Sequence, residues 1–387
     1  MADCSSYSIA GSSYAFLLFL LAFSDFPEQV IGCFASVFSF GDSLADTGNL
    51  LSISDSVRPP HFAFPPYGEN YFHRPTGRCS DGRLVIDFIA EYLGLPLVPP
   101  YLGGQGKKSG GVNFEKGVNF AVVGATALDD EFFEERGIYN PNKNIYLSVQ
   151  LRWFREFLSS TCSTPSECKK LLQSSLILMG EIGGNDYNYP LEAMTSLEEI
   201  KTFVPPVVNA IASATLELID LGATTIMVPG NLPIGCLPVY LTMYMSSNKE
   251  DYDPETGCLI ELNEFSKYHN EMLRAELDRI QELHPHATII YADYYDAAMR
   301  FYLSPLKYGF SGGTLTACCG AGGTYNVNTS LQCGYPPTRA CDDPSKYINW
   351  DGIHFTEAAC RWISKGLLEG SYTIPPILAS CESKSMH

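Results

Sequence analysis

Near the start of the chain stands the segment Val37-Phe38-Ser39-Phe40-Gly41-Asp42-Ser43-Leu44-Ala45-Asp46-Thr47-Gly48-Asn49. Its first four residues form strands readily, and the run leads into glycine, aspartate and serine. In an open α/β sheet, ligands bind at the edge formed by the carboxyl ends of the strands, and Ser43 is predicted to lie there. A serine at that edge can be a nucleophile if a base and an oxyanion hole reach it. The same residues are also typical of a polar turn, so this segment alone leaves both interpretations open.

The rest of the chain alternates apolar strand patterns with helical patterns. Because the strand patterns are continuous apolar runs, they predict a parallel sheet covered by helices on both faces. We find no internal repeat and no linker, and we therefore predict one domain over residues 36–387. Further strands are predicted at 117–125, 175–180, 223–228 and 287–291, and helices at 83–93, 147–160, 197–221, 259–283 and 355–368.

Composition and charge narrow the class of function. The chain of 387 residues is 45% hydrophobic and 18% charged, which is typical of a globular protein with a full-sized core. Its net charge is −18. Such a surface repels phosphate backbones and anionic lipids, so neither nucleic acid nor an anionic membrane is an expected partner.

The first residues predict a secretory signal. Residues 1–35 contain an apolar run at 14–23, which has the length of a signal h-region and is too short to span a bilayer. Cleavage could follow Gly32 or Ala35, and a buried N-terminal helix is the alternative interpretation. The chain also carries one N-glycosylation sequon, Asn328-Thr329-Ser330, which fits a secreted protein.

Thirteen cysteines agree with an oxidising compartment. No C-x-x-C pair occurs and the histidines are scattered, so we expect no metal site. We expect most of the cysteines to form disulfides. Cys162 and Cys168 flank a small loop, Cys236 and Cys258 bracket another, and a Gly-rich region holds Cys318, Cys319, Cys333 and Cys341.

An acidic residue and a histidine stand near the other end of the chain. Asp351 and His354 are three residues apart at the predicted start of a helix, where such residues share a face. The carboxylate can therefore hold the imidazole tautomer, which is the orienting role in a Ser-His-Asp triad. A helix-capping aspartate beside a histidine would give the same pattern.

Three predicted strands end in residues that can donate hydrogen bonds at one sheet edge. They end in Gly41-Asp42-Ser43, in Gly124 and in Gly183-Gly184-Asn185-Asp186. The N–H groups of Ser43 and Gly124 and the side-chain amide of Asn185 give three donors. An oxyanion hole for acyl transfer requires such a set.

Taken together, these segments resemble the plant branch of the GDSL, or SGNH-hydrolase, esterase/lipase family. The matching blocks are residues 40–49, 118–125, 182–187 and 350–356, and the resemblance extends over about residues 37–370. One departure is Val122-Val123, where the family commonly has small residues. Gly124 is then the natural oxyanion glycine.

The resemblance implies a three-layer α/β/α sandwich of the flavodoxin type on a five-stranded parallel sheet. It also implies that Ser43 is the nucleophile, that His354 is the general base and acid, and that Asp351 orients it. Ser43, Gly124 and Asn185 would bind the oxyanion. No cofactor is implied, and the expected partner is a small-molecule ester.

The substrate is the least determined part of this prediction. Relatives act on acetylated alkaloids, phenolic choline esters, cell-wall acetyl groups and lipids, and we favour a small acyl ester of a plant specialised metabolite such as an alkaloid. A lipase or a cell-wall polysaccharide acetylesterase is the alternative, and an acyltransferase or an inactive binding protein is the alternative of another class. We expect a monomer in the secretory pathway, extracellular or vacuolar.

Other motifs were weighed against this interpretation. Gly309-Phe310-Ser311-Gly312-Gly313 fits the G-x-S-x-G elbow of a different hydrolase fold, but no apolar strand precedes Ser311. Acidic residues at 129–135 could suggest a glycosidase pair, although a solvated acidic face or a lid rim explains them better.

The pocket is expected to be built by loops around residues 55–75, 126–146 and 236–257, which are rich in aromatic residues. The remaining histidines are interpreted as surface or hydrogen-bonded loop residues. They are His61, His73, His269, His284 and His286.

Overall fold

The computed structural model describes residues 32–104, 113–369, 371–377, 379 and 381. Most of the predicted signal sequence, residues 1–31, lies outside the described residues. The strands are β1 (Ser36–Ser39), β2 (Gly117–Asn119), β3 (Ser175–Leu178), β4 (Thr225–Pro229), β5 (Thr288–Ala292), β6 (Gly313–Ala317), β7 (Cys319–Gly320), β8 (Arg339–Ala340), β9 (Tyr347–Asn349) and β10 (Thr373–Ile374).

The main sheet has the order β10-β5-β4-β3-β1-β2. Strands β1 to β5 are parallel in the order 2-1-3-4-5, which is the flavodoxin-type order predicted by the resemblance. A sixth strand, β10, pairs antiparallel with β5 at the edge. The prediction of five parallel strands is confirmed, and β10 was missed because two residues are too few to show a strand period.

Helices cover both faces of this sheet, so the predicted three-layer sandwich is confirmed. On β1, Val37 packs into one apolar cluster with Phe88 and Ile363, while Phe38 packs into the other with Phe154. Successive strand residues point to opposite faces, which explains the two clusters. The helices are α1 (Asn49–Ile53), α2 (Val85–Tyr92), α3 (Tyr101–Gly104), α4 (Asp130–Glu134), α5 (Leu147–Thr161), α6 (Pro165–Gln173), α7 (Gly184–Glu192), α8 (Leu197–Lys201), α9 (Val204–Leu221), α10 (Pro238–Met243), α11 (Ile260–Leu283), α12 (Tyr294–Leu303) and α13 (Glu357–Leu368).

The predicted helix at 197–221 forms as two helices, α8 and α9. Pro205 stands in the first turn of α9, where its missing N–H is not needed. By length and composition, the stretch Leu197–Leu221 is the one described segment that could cross a membrane, and 56% of its apolar window is buried in the protein. Packing in the core therefore accounts for its apolar character.

Five disulfides connect ten of the twelve described cysteines, while Cys79 and Cys360 are buried free thiols. The five include the two pairs predicted from spacing, Cys162–Cys168 and Cys236–Cys258. The four cysteines of the Gly-rich region pair as Cys318–Cys341 and Cys319–Cys333. A further disulfide, Cys33–Cys381, joins the two ends of the domain over a sequence separation of 348. Spacing could not predict this pair.

The acidic segment 129–135 forms the short helix α4. Asp129 caps this helix by accepting a hydrogen bond from the N–H of Phe132, while Phe133 is buried. The side chains of Glu131 and Glu134 are exposed. The segment is therefore a short helix with a solvated acidic face.

Candidate active site

The Asp351–His354 pair has the geometry of an oriented imidazole. His354 Nδ1 lies 2.8 Å from Asp351 Oδ2 and 2.9 Å from Oδ1. The backbone N–H groups of Ile353 and His354 also donate to Asp351 Oδ1. Nδ1 therefore carries the proton in neutral His354, and Nε2 is left as the acceptor. The pair lies in a turn before α13 rather than in the helix, which begins at Glu357.

A tyrosine completes the set of donors around this carboxylate. Tyr67 donates its hydroxyl proton to Asp351 Oδ2 over 2.7 Å. Burial alone would raise the pKa of Asp351, but the charge of His354 and the hydrogen bonds from His354 and Tyr67 lower it strongly. Asp351 therefore stays ionised, as an orienting carboxylate must.

His61 extends the same network, and its prediction as a hydrogen-bonded loop histidine is confirmed. Its Nδ1 lies 3.1 Å from both the Tyr67 hydroxyl and the Cys333 carbonyl oxygen. The carbonyl can only accept, and the Tyr67 proton points to Asp351, so this network assigns the proton to Nδ1 of His61. Burial lowers the pKa of His61. The neutral ring therefore lines the pocket with Nε2 as an acceptor.

Ser43 follows β1 as predicted, at the carboxyl edge of the sheet. The N–H of Asp42 bonds to the Glu181 carbonyl oxygen, and the N–H of Leu44 bonds to Asp42 Oδ1. Between them, the N–H and the hydroxyl of Ser43 make no hydrogen bond within the described residues. Ser43 is 7% exposed, so both groups stand in a shielded position.

Gly124 presents a second backbone donor after β2. The N–H of Val123 bonds to Asp46 Oδ2 and the N–H of Ala125 bonds to a carbonyl three residues before it, whereas the N–H of Gly124 has no partner in the part of the chain described. Its φ is +80°, and an added Cβ would stand 2.0 Å from Asn142 Nδ2. Only glycine fits this position.

Asn185 joins the ends of these two segments. Its Nδ2 donates to Asp42 Oδ2 over 2.9 Å and to the Ala125 carbonyl oxygen over 3.0 Å. The structure therefore brings together the three segments in which oxyanion donors were predicted. It also shows that both amide hydrogens of Asn185 are engaged by the protein.

Asp42 itself forms a carboxyl pair with Glu181. Burial raises the pKa of Asp42 well above its ordinary value, and the charge of Glu181 and a hydrogen bond to it raise it further. Burial also raises the pKa of Glu181. Two buried carboxylate charges so close would repel each other, which favours the protonated form of Asp42. Asp42 is thus engaged with Glu181 and Asn185, whereas His354 is held by Asp351.

The buried thiol of Cys79 is affected by the carboxylate of the Asp351–His354 pair and by carboxylates of the segment around Ser43. Burial raises the pKa of Cys79, and the charges of Asp351, Asp46 and Asp42 raise it further. Asp351 and Asp42, from opposite ends of the chain, therefore both disfavour the thiolate form of Cys79. No direct hydrogen bond joins Ser43 to His354 among the described residues, and such bonds are often long before substrate binds.

A cavity of about 450 Å³ opens beside His354. The loops predicted at 55–75 and 236–257 contribute to its wall, whereas no residue of the loop at 126–146 lines it. Asn142 of that loop lies instead beside Gly124. Two segments that the sequence did not point to, 192–194 and 319–333, complete the wall. The lining residues are His61, Tyr67, Glu192, Met194, Val239, Met243, Cys319, Gly320, Asn326, Val327, Asn328, Thr329, Leu331, Gln332, Cys333, Asp351, Ile353 and His354.

Ser311 does not stand on a nucleophile elbow. A short 3-10 helix, Pro305–Tyr308, precedes it, and β6 follows it. Its side chain is exposed and does not line the cavity. A strand-turn-helix geometry is required for that motif, so the rival assignment fails.

Comparison with known proteins agrees with the family and the class of enzyme that the sequence predicts. The family model described as GDSL-like Lipase/Acylhydrolase matches residues 37–367, and the chain belongs to this family. It is thus a carboxylic ester hydrolase by class. A GDSL esterase/lipase of Arabidopsis thaliana is 56% identical over 353 residues, which cover 91% of this chain and 89% of the relative. The sinapine esterase of Brassica napus is 53% identical over 349 residues, covering 90% and 88%.

Among solved structures, a catalytic mutant of the acetylxylan esterase Axe2 from Geobacillus stearothermophilus is similar to 87% of this chain. The match covers 93% of that structure, with 12% identity and a TM-score of 0.36.

Proposed function

We propose that this protein is a serine esterase of the secretory pathway that hydrolyses a carboxylic ester through an acyl-enzyme on Ser43. The observation that carries the proposal is the hydrogen-bonded Asp351–His354 pair, combined with the unpartnered N–H groups of Ser43 and Gly124. Acyl transfer needs a base held in one tautomer and donors that await a developing negative charge.

In the proposed reaction, Ser43 Oγ attacks the ester carbonyl carbon while its proton passes to His354 Nε2. The carbonyl oxygen becomes an oxyanion that accepts hydrogen bonds from the N–H groups of Ser43 and Gly124. His354 then protonates the leaving alcohol oxygen, and the acyl group stays on Ser43. Water, deprotonated by His354, attacks this acyl-enzyme and releases the acid, after which the proton returns to Ser43.

Asn185 is proposed as the third oxyanion donor. Its hydrogen bond to the Ala125 carbonyl oxygen is the longer of the two at 3.0 Å, and the amide would exchange this bond for one to the oxyanion. The bond to Asp42 Oδ2 would keep the side chain in place during this exchange. Asp42 is thus proposed to position Asn185.

The cavity wall carries negative charge, which favours an ester whose alcohol portion has hydrogen-bond donors or a positive charge. Glu192 lines the cavity and forms no ion pair within the described residues, and no lysine or arginine lines this cavity. His61 Nε2 adds an uncharged acceptor. We therefore favour a small acyl ester, such as an acetyl ester, of a plant specialised metabolite that carries a basic nitrogen, as an alkaloid does.

Other activities remain as alternatives within the same chemistry. A lipase or a cell-wall polysaccharide acetylesterase would use the same triad, although a cavity of about 450 Å³ has the size of a small-molecule site. An acyltransferase would deliver the acyl group to an alcohol instead of water. An inactive binding protein is disfavoured, because each catalytic residue type of the family is present.

The disulfides support passage through the secretory pathway. The residues at the N-terminal end of the domain favour signal cleavage after Gly32. Cys33 bonds to Cys381, and Phe34 is buried. Cleavage after Ala35 would remove both residues, whereas cleavage after Gly32 keeps them. We therefore propose that the mature protein begins at Cys33, as an extracellular or vacuolar monomer with a glycan on Asn328.

The deciding experiment compares wild type, Ser43→Ala and Ser311→Ala on p-nitrophenyl esters of rising acyl length. We expect Ser43→Ala to abolish hydrolysis, Ser311→Ala to retain it, and kcat/KM to be highest for acetate. Loss only in Ser311→Ala would overturn the nucleophile assignment. A preference for long acyl chains would overturn the acetylesterase and favour a lipase. An alcohol added in competition with water would reveal an acyltransferase by formation of a new ester.

A further inference from the structure

The sequon at Asn328 lies in the wall of the cavity that opens beside His354. Asn328 and Thr329 line the same cavity as His354, and both are exposed to solvent. Nothing in the sequence places residue 328 beside residue 354, because the loop that carries the sequon returns to the site only in the folded chain.

The loop holds Asn328 in a defined direction. The disulfide Cys319–Cys333 closes the loop, and both of its cysteines line the cavity. Asn328 Oδ1 accepts a hydrogen bond from the Ser330 N–H, and its backbone carbonyl oxygen accepts one from the Leu331 N–H. The side-chain Nδ2 is then the free end of the amide, with no partner within the described residues.

We propose that an N-linked glycan on Asn328 forms part of the mouth of the catalytic cavity and limits the size of the esters that reach Ser43. This inference rests on the proposed function, since it concerns substrates of that site and requires passage through the secretory pathway. The bond forms between Asn328 Nδ2 and the first sugar, which a lipid-linked oligosaccharide donor supplies with its diphosphate carrier as the leaving group.

The physical reason is steric. A glycan that starts from a wall residue occupies space at the opening, and the closed disulfide loop prevents the wall from moving far away. Bulky or polymeric esters would clash with the sugars, whereas a small ester passes beside them. Such exclusion gives specificity without any new attractive contact.

Ser330 offers a clean test, because it completes the sequon but does not line the cavity. Ser330→Ala removes the glycosylation signal and keeps both Asn328 and the backbone N–H that bonds to it. Ser330→Thr preserves the signal and is the matched control. Both variants and wild type are secreted from a plant or insect cell line, and mass spectrometry of the peptide around residue 328 reports occupancy.

The readout is the rate at which two fluorophosphonates label the catalytic serine, one with a small ethyl group and one with a bulky dye. We expect equal labelling by the small reagent in all three proteins. We expect labelling by the bulky reagent to rise about tenfold in Ser330→Ala only, since that variant lacks the steric block. When wild type is trimmed to a single sugar by an endoglycosidase, its labelling rate by the bulky reagent should also rise. Such a rise would show that the effect does not come from the substitution itself.

The outcomes separate the two proposals. An unglycosylated Asn328 in secreted wild type, or equal bulky-reagent rates in Ser330→Ala and Ser330→Thr, would overturn the role of the glycan and leave the esterase standing. If the small reagent fails to label Ser43 in every form, the proposed nucleophile falls, and the inference about the glycan falls with it.

Discussion

The hydroxyl of Tyr67 donates a 2.7 Å hydrogen bond to Asp351 Oδ2, across 284 residues of sequence. Tyr67 is fully buried, and Asp351 also receives His354 Nδ1 on the same oxygen. The carboxylate that holds the imidazole of His354 is thus itself held by a residue from the segment between α1 and α2. Burial, followed by the charge of Asp351, raises the pKa of Tyr67 well above its ordinary value, so the hydroxyl remains a donor at all physiological pH values.

Tyr67→Phe should lower kcat by about tenfold with little change in KM, because a hydrogen bond to a charged group is worth about 1.5–3 kcal/mol. The loss of this donor should also raise the pKa of Asp351 from its lowered value. The measurement is a pH profile of kcat on p-nitrophenyl acetate. Tyr71→Phe is the matched control, because Tyr71 is 42% exposed and lies outside the cavity. Equal kcat in the two variants would show that Tyr67 has no positioning role.

Asn185→Ala should keep the fold and reduce kcat by about 10²–10³, the usual cost of removing one oxyanion donor. Circular dichroism and the melting temperature check the fold, and steady-state kinetics check the rate. Because Asn185 Nδ2 also satisfies Asp42 and Ala125, some loss of thermal stability is expected as well. A folded variant with the wild-type kcat would remove Asn185 from the mechanism.

Glu192→Gln should lower kcat/KM about tenfold for an acetyl ester of a cationic alcohol and leave that of a neutral ester of similar shape unchanged. The reason is that Glu192 supplies a negative charge to the cavity wall, and this attraction weakens as salt rises. Glu199→Gln is the control, because Glu199 is exposed and does not line the cavity. A parallel loss on both esters would argue against recognition of a positive charge.

Asp81→Asn should make stability less dependent on pH between about 4 and 6. Burial raises the pKa of Asp81 to about 6 in the folded chain, from 3.8. The folded state therefore binds more protons in that range, and stability falls as pH rises through it, by about 3 kcal/mol for this group. Asp81 Oδ2 has no partner among the described residues, so an amide nitrogen can replace it.

Urea unfolding of wild type and Asp81→Asn at pH 4.5, 5.5 and 7 measures this effect. The unfolding free energy of Asp81→Asn should increase relative to that of wild type as pH rises from 4.5 to 7. A constant difference between the two proteins at all three pH values would contradict the assigned burial of a charge.

N-terminal analysis of the secreted protein should find Cys33 as the first residue. The double variant Cys33→Ser/Cys381→Ser should lose about 5–6 kcal/mol of unfolding free energy, since this disulfide closes a loop with a separation of 348 residues. Cys162→Ser/Cys168→Ser is the control, because that disulfide closes a separation of six and constrains the unfolded chain less. A mature chain that begins after Ala35 would exclude the Cys33–Cys381 bond.

Much of the candidate site could be predicted from the sequence, because its residues stand in short segments. Ser43 follows an apolar strand, Asp351 stands three residues before His354, and Gly124 and Asn185 follow strands of their own. Such patterns reflect interactions between near neighbours along the chain and the common edge of a parallel sheet. The disulfide Cys162–Cys168 was likewise predictable from local spacing.

The tertiary structure alone decided how these segments are supported and what surrounds them. The Tyr67–Asp351 bond, the Cys33–Cys381 disulfide and the position of Asn328 in the cavity wall all join residues that are far apart in sequence. The spacing of apolar residues along a helix or strand indicates which of its faces is buried, but it does not indicate which distant loop covers that face. The sequence by itself therefore determined the candidate site residues and the sheet. Only folding decided the positioning partners, the cavity and its opening, because those depend on how the long connections pack over the sheet edge.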